Sequence, residues 1–354
     1  NKKGIAIGKN YNISNYTFIC ESLHTGDNVY IEPNVSFIYD KYLKARSYWS
    51  DFTRESLYKA VDFLDSAIEK NPDCAPLYAG LAEVWIWIQQ GGLEPPSVVG
   101  PKILENIKKA MALDPDLAEV HYQSAVIAQL VEWDWPKSEK EFLKSLAINP
   151  NNPLARLMYA QLLLILNRGD ESRAQRELAI SLDPLNFNTK FLYIGTLVQA
   201  GDCKAGISLM EDALATHPAD FDINGMLEVA AYKSKDYDRV IRALKYTLPF
   251  PFEEDQYKEI ERIYRERGIV SAYGELMKHM EKYAENNYIG FSDMAARYII
   301  ADQHDKAMDW IEKGFASHDP LMTYITRSAR LYEPLFGNPR FMAICEKMNL
   351  PLPK

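Results

Sequence analysis

The 354-residue chain is poor in cysteine, has no excess of basic charge and lacks a long apolar run. Its four cysteines, Cys20, Cys74, Cys203 and Cys345, lie 54, 129 and 142 residues apart and form no Cys-x-x-Cys pair. That spacing speaks against a disulfide scaffold or a cysteine-zinc framework and suits buried thiols in a reducing compartment, so a cytoplasmic location is expected. Lys and Arg total 40 against 49 Asp and Glu, a net charge of −9. A chain that binds nucleic acid regardless of sequence needs the opposite balance to displace counterions from phosphates, so no nucleic-acid partner is expected through this region. The longest apolar runs, such as Leu162-Leu163-Leu164-Ile165-Leu166, fall far short of the ~20 residues that cross a bilayer. No secretory leader opens the chain, and it begins with Asn1. A fragment or processed product, with its upstream part not included, is therefore expected.

Catalytic constellations are missing as well. Gly4-x3-Gly8-Lys9-Asn10 resembles a phosphate loop only superficially, because that loop needs four residues between its glycines and Ser or Thr after Lys. His24, His121, His217, His279, His304 and His318 are scattered and fit no metal-ligand spacing. The sequons at Asn12, Asn15 and Asn34 carry little weight without a secretory signal. No catalytic residue, metal site or cofactor is expected in this chain.

What the sequence does contain is a repeat. Pro72, Pro115, Pro150, Pro184 and Pro218 each follow a short helical pattern, at spacings of 43, 35, 34 and 34. A proline there ends the preceding helix, since it lacks an N–H and pushes the residue before it out of helical geometry. Small and large residues recur in phase with these prolines. Ala60, Leu64 and Ala67 precede Pro72, Ile107 and Ala110 precede Pro115, and Ser172 and Ala179 precede Pro184. Between them come first-helix patterns such as Tyr78-Leu81-Ala82-Trp85 and Tyr159-Ala160-Leu163. Small residues let two helices approach closely, and each pair must stack on the next to bury its apolar face. The 34-residue period is similar to that of the tetratricopeptide repeat, a pair of antiparallel helices. That similarity implies an all-α fold, a right-handed α-α superhelix of antiparallel helix pairs.

Two irregularities stand out. Between Trp85 and Ile103 about nine extra residues, with Gly91-Gly92, Pro95-Pro96 and Gly100-Pro101, read as a loop. After Tyr246 the phase is lost, with divergent helical pattern over 253–267 and 270–285 and a last unit at Phe291, Met294, Ala295 and Tyr298, then Ala307, Ile311 and Gly314. The expected organisation is an arm or domain remnant at 1–38, with weak strand character, and helical repeats over 39–354, regular from about 41 to 252 and divergent from 253 to 354.

Trp133-Asp134-Trp135-Pro136 has two readings: an aromatic ligand platform, or a helix start with Asp134 as N-cap, Pro136 in the first turn and the indoles packed between repeats. The second gives each residue a physical reason. Glu253-Glu254-Asp255 reads as an acidic first helical turn.

Several phrases are more specific. Asp40–Trp49 with Phe52–Ala60, Ala75–Trp85, Glu132–Trp135 and Pro334–Phe341 resemble the tetratricopeptide tails that follow adenylate/guanylate cyclase, winged-helix or Ser/Thr kinase domains in a bacterial group. The resemblance implies a non-catalytic interaction or scaffold module, the regulatory or sensor part of a bacterial signalling protein. It also leaves open the tail of a cyclase-like enzyme, or of a winged-helix regulator, whose other domain lies upstream of Asn1.

The concave face, formed by first helices, is the default binding surface of such a stack. Trp87, Tyr122, Gln129, Gln161, Phe191, Gln199 and Tyr232 are the expected peptide-binding residues, with Lys233 beside the last. Amides and aromatics there suit an extended or helical peptide held by apolar contact and backbone hydrogen bonds. The partner is expected to be a protein or peptide, or a second copy of the chain. A groove covered by the chain's own N-terminal segment or by a second subunit is the competing reading.

Overall fold

The structure, a computed structural model, describes residues 41–48, 53–218, 220–248, 253–327 and 331–352. The expected 1–38 arm, with its glycine loop, strand-like segments, sequons, Cys20 and His24, lies outside the described residues, as does the proline pair at 249 and 251. The described residues are all-α, with no strand among them. After a helical stretch at 41–48 come α1 (Arg54–Lys70), α2 (Ala75–Gln90), α3 (Pro96–Leu113), α4 (Ala118–Ile127) and α5 (Trp135–Ile148). Next are α6 (Pro153–Ile165), α7 (Gly169–Leu182), α8 (Phe187–Ala200), α9 (Cys203–Leu214), α10 (Phe221–Lys233) and α11 (Tyr237–Thr247). The C-terminal part has α12 (Glu254–Arg267), α13 (Ile269–Ala284), α14 (Phe291–Ile300), α15 (His304–Ala316), 3-10 turns at Pro320–Tyr324 and Glu333–Leu335, and α16 (Pro339–Lys347). No described helix is long and apolar enough to cross a membrane.

The prolines act as the sequence demands. Helices end at Lys70, Leu113, Ile148, Leu182 and Leu214, shortly before Pro72, Pro115, Pro150, Pro184 and Pro218. The following first helices start from side-chain caps: Asn152 accepts from Ala155 N at 3.1 Å, Asn186 from Thr189 N at 3.2 Å and Asp220 from Ile223 N at 2.8 Å. Small residues occupy the crossings. Ala60, Ala67, Ala110, Ala160, Ala179, Ser138, Ser145 and Ser172 are fully buried, and Ser172 Oγ donates to the Ala160 carbonyl at 2.8 Å.

A second periodicity lies in the backbone. Asn167, Gly201, Lys235 and Asp302 all adopt left-handed geometry in the turn joining the two helices of a pair, at φ 62°, 88°, 60° and 57°. After each, an N–H reaches back to close the helix end: Arg168 to Leu163 O, Asp202 to Leu197 O, Asp236 to Ala231 O and Gln303 to Tyr298 O, at 2.8–2.9 Å. This is the αL helix stop. Four residue types share it, so residue identity alone hides the period.

The expected loop between Trp85 and Ile103 is mostly helix. α2 runs on to Gln90 and α3 begins at Pro96, so Gly100-Pro101 falls inside α3. Pro101 removes one hydrogen bond near the helix start, while its neighbours Val99 and Ile103 are fully buried. Apolar burial of those two residues outweighs the local breaker signal.

The described residues divide into two compact units: those within 41–93, 98–127 and 140–150, and those within 94–97, 128–139 and 151–352. The first holds α1, α2 and α4, most of α3 and the C-terminal part of α5. Its core includes Leu57, Leu64, Leu77, Ile88, Ile103 and Phe142. The second holds α6 to α16. One of its clusters, Ile194, Val198, Ile207, Met210, Ile223, Leu227 and Ala230, joins α8, α9 and α10.

Candidate functional site

In the first unit, Trp87 and Tyr122 are buried. The Tyr122 ring lies 6.4 Å from that of Phe142, and Gln123 Nε2 donates to Glu83 Oε2 at 2.9 Å. Burial pushes the Glu83 carboxyl up to about 7, against the opposing charge of Arg46. His121 pairs with Glu141 at 2.5 Å. Burial disfavours the Glu141 carboxylate, but hydrogen bonds from His121 and Lys144 prevail and hold it below the usual carboxylate range.

In the second unit the chain's own C-terminal segment takes up part of the first-helix face. Gln129 is fully buried, and its main-chain carbonyl accepts from Thr323 Oγ1 at 3.1 Å. Gln161 Oε1 accepts the Tyr324 hydroxyl at 2.8 Å. Asp134 caps α5 by accepting from Lys137 N at 3.0 Å, and Trp133 adopts left-handed geometry before it. The Trp133 indole stacks on His318 at 4.5 Å and on Phe315 at 5.5 Å, and Trp135 Nε1 donates to the Met348 carbonyl at 2.9 Å.

Phe191, Gln199 and Tyr232 remain half-buried. Phe191 stacks on Phe187 at 6.3 Å, and Tyr232 lies 6.0 Å from Tyr237. At Gln199 a cleft of about 600 Å³ opens at the turns of three successive helix pairs. Asn167 and Gly169 come from the α6–α7 turn, Gly201, Cys203 and Lys204 from α8–α9, and Lys233 and Ser234 from α10–α11. Thr326 and Arg327, just after the first 3-10 turn, close one wall. Arg327 donates to the Asn167 side chain, and Lys233 Nζ lies 3.4 Å from Glu333. Burial pushes the Cys203 thiol up while the Lys233 charge pulls it down.

Among the expected site residues, the structure thus brings Gln199 to this cleft, with Lys233 beside it. Lys204, Thr326 and Arg327 were not singled out from sequence. The period of the turns could have indicated Lys204, whereas nothing local connects 326–327 to residue 167.

A separate charged cluster pairs internally, with Arg297 Nε left without a hydrogen-bond partner. Glu228 accepts from Tyr273 Oη and Thr247 Oγ1 at 2.7 Å each, and Arg297 reaches Glu228, Asp293 and the Thr247 carbonyl, all inside the second unit. Burial holds the Tyr273 phenol well above its ordinary range, and the Glu228 charge adds to this. No group of three or more metal-ligating side chains occurs among the described residues.

The tetratricopeptide-repeat family model matches residues 141–176, from within α5 through α6 into α7. No curated protein matches the chain. Among solved structures, yeast Tom70 is 17% identical with TM-score 0.42, covering 88% of this chain and 67% of its own. A monomeric mutant of IFIT1 with Gppp-AAAA is 14% identical with TM-score 0.44, covering 94% and 72%. The TPR domain of P58(IPK) is 11% identical with TM-score 0.25, covering 88% and 97%. The match at 141–176 covers one of the segments in which the prolines, the buried small residues and the left-handed turn share one phase, and there the sequence is similar to a tetratricopeptide repeat.

Proposed function

We propose that this chain is a non-catalytic protein-interaction module, the regulatory part of a larger signalling protein, and that it engages a partner segment through the face carried by α8 and α10. The observation behind this reading is the contrast along one row of first-helix residues. Gln129 and Gln161 are buried and bonded to the C-terminal segment, while Phe191, Gln199 and Tyr232 stay half-buried, with Gln199 on the wall of an open cleft. Aromatic side chains that are partly desolvated before binding make effective anchors for a peptide. The phrases shared with the tetratricopeptide tails of bacterial regulatory proteins support the signalling role. Cys74, Cys203 and Cys345 are free thiols, in keeping with a cytoplasmic setting.

Peptides selected from a displayed random library on the immobilised chain provide the test. Phe191→Ala and Tyr232→Ala should each weaken the selected peptides by about tenfold or more. Retained affinity in both variants would remove the α8–α10 face as the binding surface.

A further inference from the structure

The cleft at the helix-pair turns has a composition unlike that of the chain around it. The protein carries a net charge of −9, yet the residues lining the cleft include Lys204, Lys233 and Arg327 and no acidic side chain. Positive charge gathered in a concave, partly desolvated space attracts anions more strongly than the same charges spread over a convex surface.

The turns add backbone donors. α7 begins at Gly169 and α9 at Cys203, both on the cleft wall, and neither helix has a side-chain cap. The first helices α6, α8 and α10 do have caps, supplied by Asn152, Asn186 and Asp220. Asp170 and Glu171 already stand in the first turn of α7, whereas the first turn of α9 holds no acidic residue. It is therefore the uncapped N–H groups of α9, with the positive end of its dipole, that favour an oxyanion.

A third observation is independent of charge. Thr326 is fully buried and lines the cleft, and its Oγ1 has no hydrogen-bond partner. Buried hydroxyls are nearly always satisfied, so an unpaired one on a cavity wall marks a place for a polar ligand atom. The volume of about 600 Å³ falls within the range of small-molecule sites, roughly 300–1,000 Å³.

We propose that this cleft binds a small phosphate-bearing ligand, with Lys204, Lys233 and Arg327 neutralising its charge and Thr326 supplying a hydroxyl. Phosphate fits better than a single carboxylate because the lining cations come from two separate turns and the C-terminal segment, so that several oxygens on one centre can each meet one. Glu333, at 3.4 Å from Lys233, is the carboxylate the ligand displaces from that lysine. Arg327 lies in the segment that covers Gln161, so ligand binding ties that segment to the turns of α6–α7 and α10–α11. This site does not depend on peptide binding at Phe191 and Tyr232.

The test uses the full chain with sodium pyrophosphate as probe, titrated by calorimetry at low ionic strength. Citrate and a phosphoserine peptide serve as the comparison ligands. Pyrophosphate should bind at one site per chain, and Lys204→Gln and Lys233→Gln should each weaken it by about tenfold. Thr326→Val should weaken it less, and the unliganded melting temperature of the two lysine variants should stay unchanged. Undetectable binding at millimolar pyrophosphate, or equal binding in both lysine variants, overturns the site. Citrate binding as tightly as pyrophosphate overturns the phosphate assignment. A phosphoserine peptide that binds at least tenfold tighter places the phosphate on a partner protein and overturns the small-ligand reading.

Discussion

At the scale of single residues, the chain places charge where burial opposes it, and pH exposes this. Asp222 lies in the first turn of α10, where burial and the neighbouring Asp220 charge push its carboxyl up to about 6. Between about pH 4 and pH 6 the folded chain therefore holds this proton more tightly than the unfolded chain, whose aspartates titrate near 3.9. Stability contributed by this group is highest below that window and falls as pH rises through it. Asp222→Asn should abolish that slope and stabilise the protein at pH 7.5 by about 1–2 kcal/mol, after allowing for the lost helix-dipole interaction. Thermal melts at pH 4 and pH 7.5 read this directly: the variant should gain at the higher pH only, and an equal gain at both would assign the effect to something other than titration. The Glu228–Arg297 cluster shows the contrasting arrangement, in which each buried charge has a partner and the cost of burial is offset locally.

At the scale of helices, the fold rests on close approach between small residues. Ala160 is fully buried, and its carbonyl accepts the Ser172 hydroxyl across the α6–α7 crossing. Ala160→Leu has no room there and should cost about 1–3 kcal/mol, read as a lower urea midpoint. An unchanged midpoint would mean that α6 and α7 do not cross at this residue. Elements of this kind are legible in sequence because their causes are local. A proline ends the helix just before it, a small residue marks a crossing, and Asp134 and Pro136 start α5 wherever they occur. Local rules failed at Gly100-Pro101, where the burial of Val99 and Ile103 decides the outcome. They also missed the left-handed positions at 167, 201, 235 and 302, because Asn, Gly, Lys and Asp share a backbone shape without sharing a side chain. The cleft stands on those turns, which is why its cations did not stand out in the sequence while the first-helix aromatics did.

At the scale of the whole molecule, the interactions hardest to anticipate join residues far apart in sequence. Tyr324 meets Gln161 across 163 residues, and Trp135 Nε1 meets the Met348 carbonyl across 213. Neither has a spacing that a repeat would reveal, so the open groove expected along the first helices is, at Gln129 and Gln161, a packed interface with the C-terminal segment. If that segment is part of the folded second unit, weakening one anchor should loosen both sides together. Trp135→Phe keeps the ring packing but removes the indole N–H, leaving the buried Met348 carbonyl without its donor, at a cost of about 1–3 kcal/mol. Hydrogen exchange should then speed up by similar factors in α6 and α16, as it does for elements that open as one cooperative unit. Faster exchange confined to α16 would instead mean that the tail opens alone. The cover that Thr323 and Tyr324 place over Gln129 and Gln161 would then hold independently of α16.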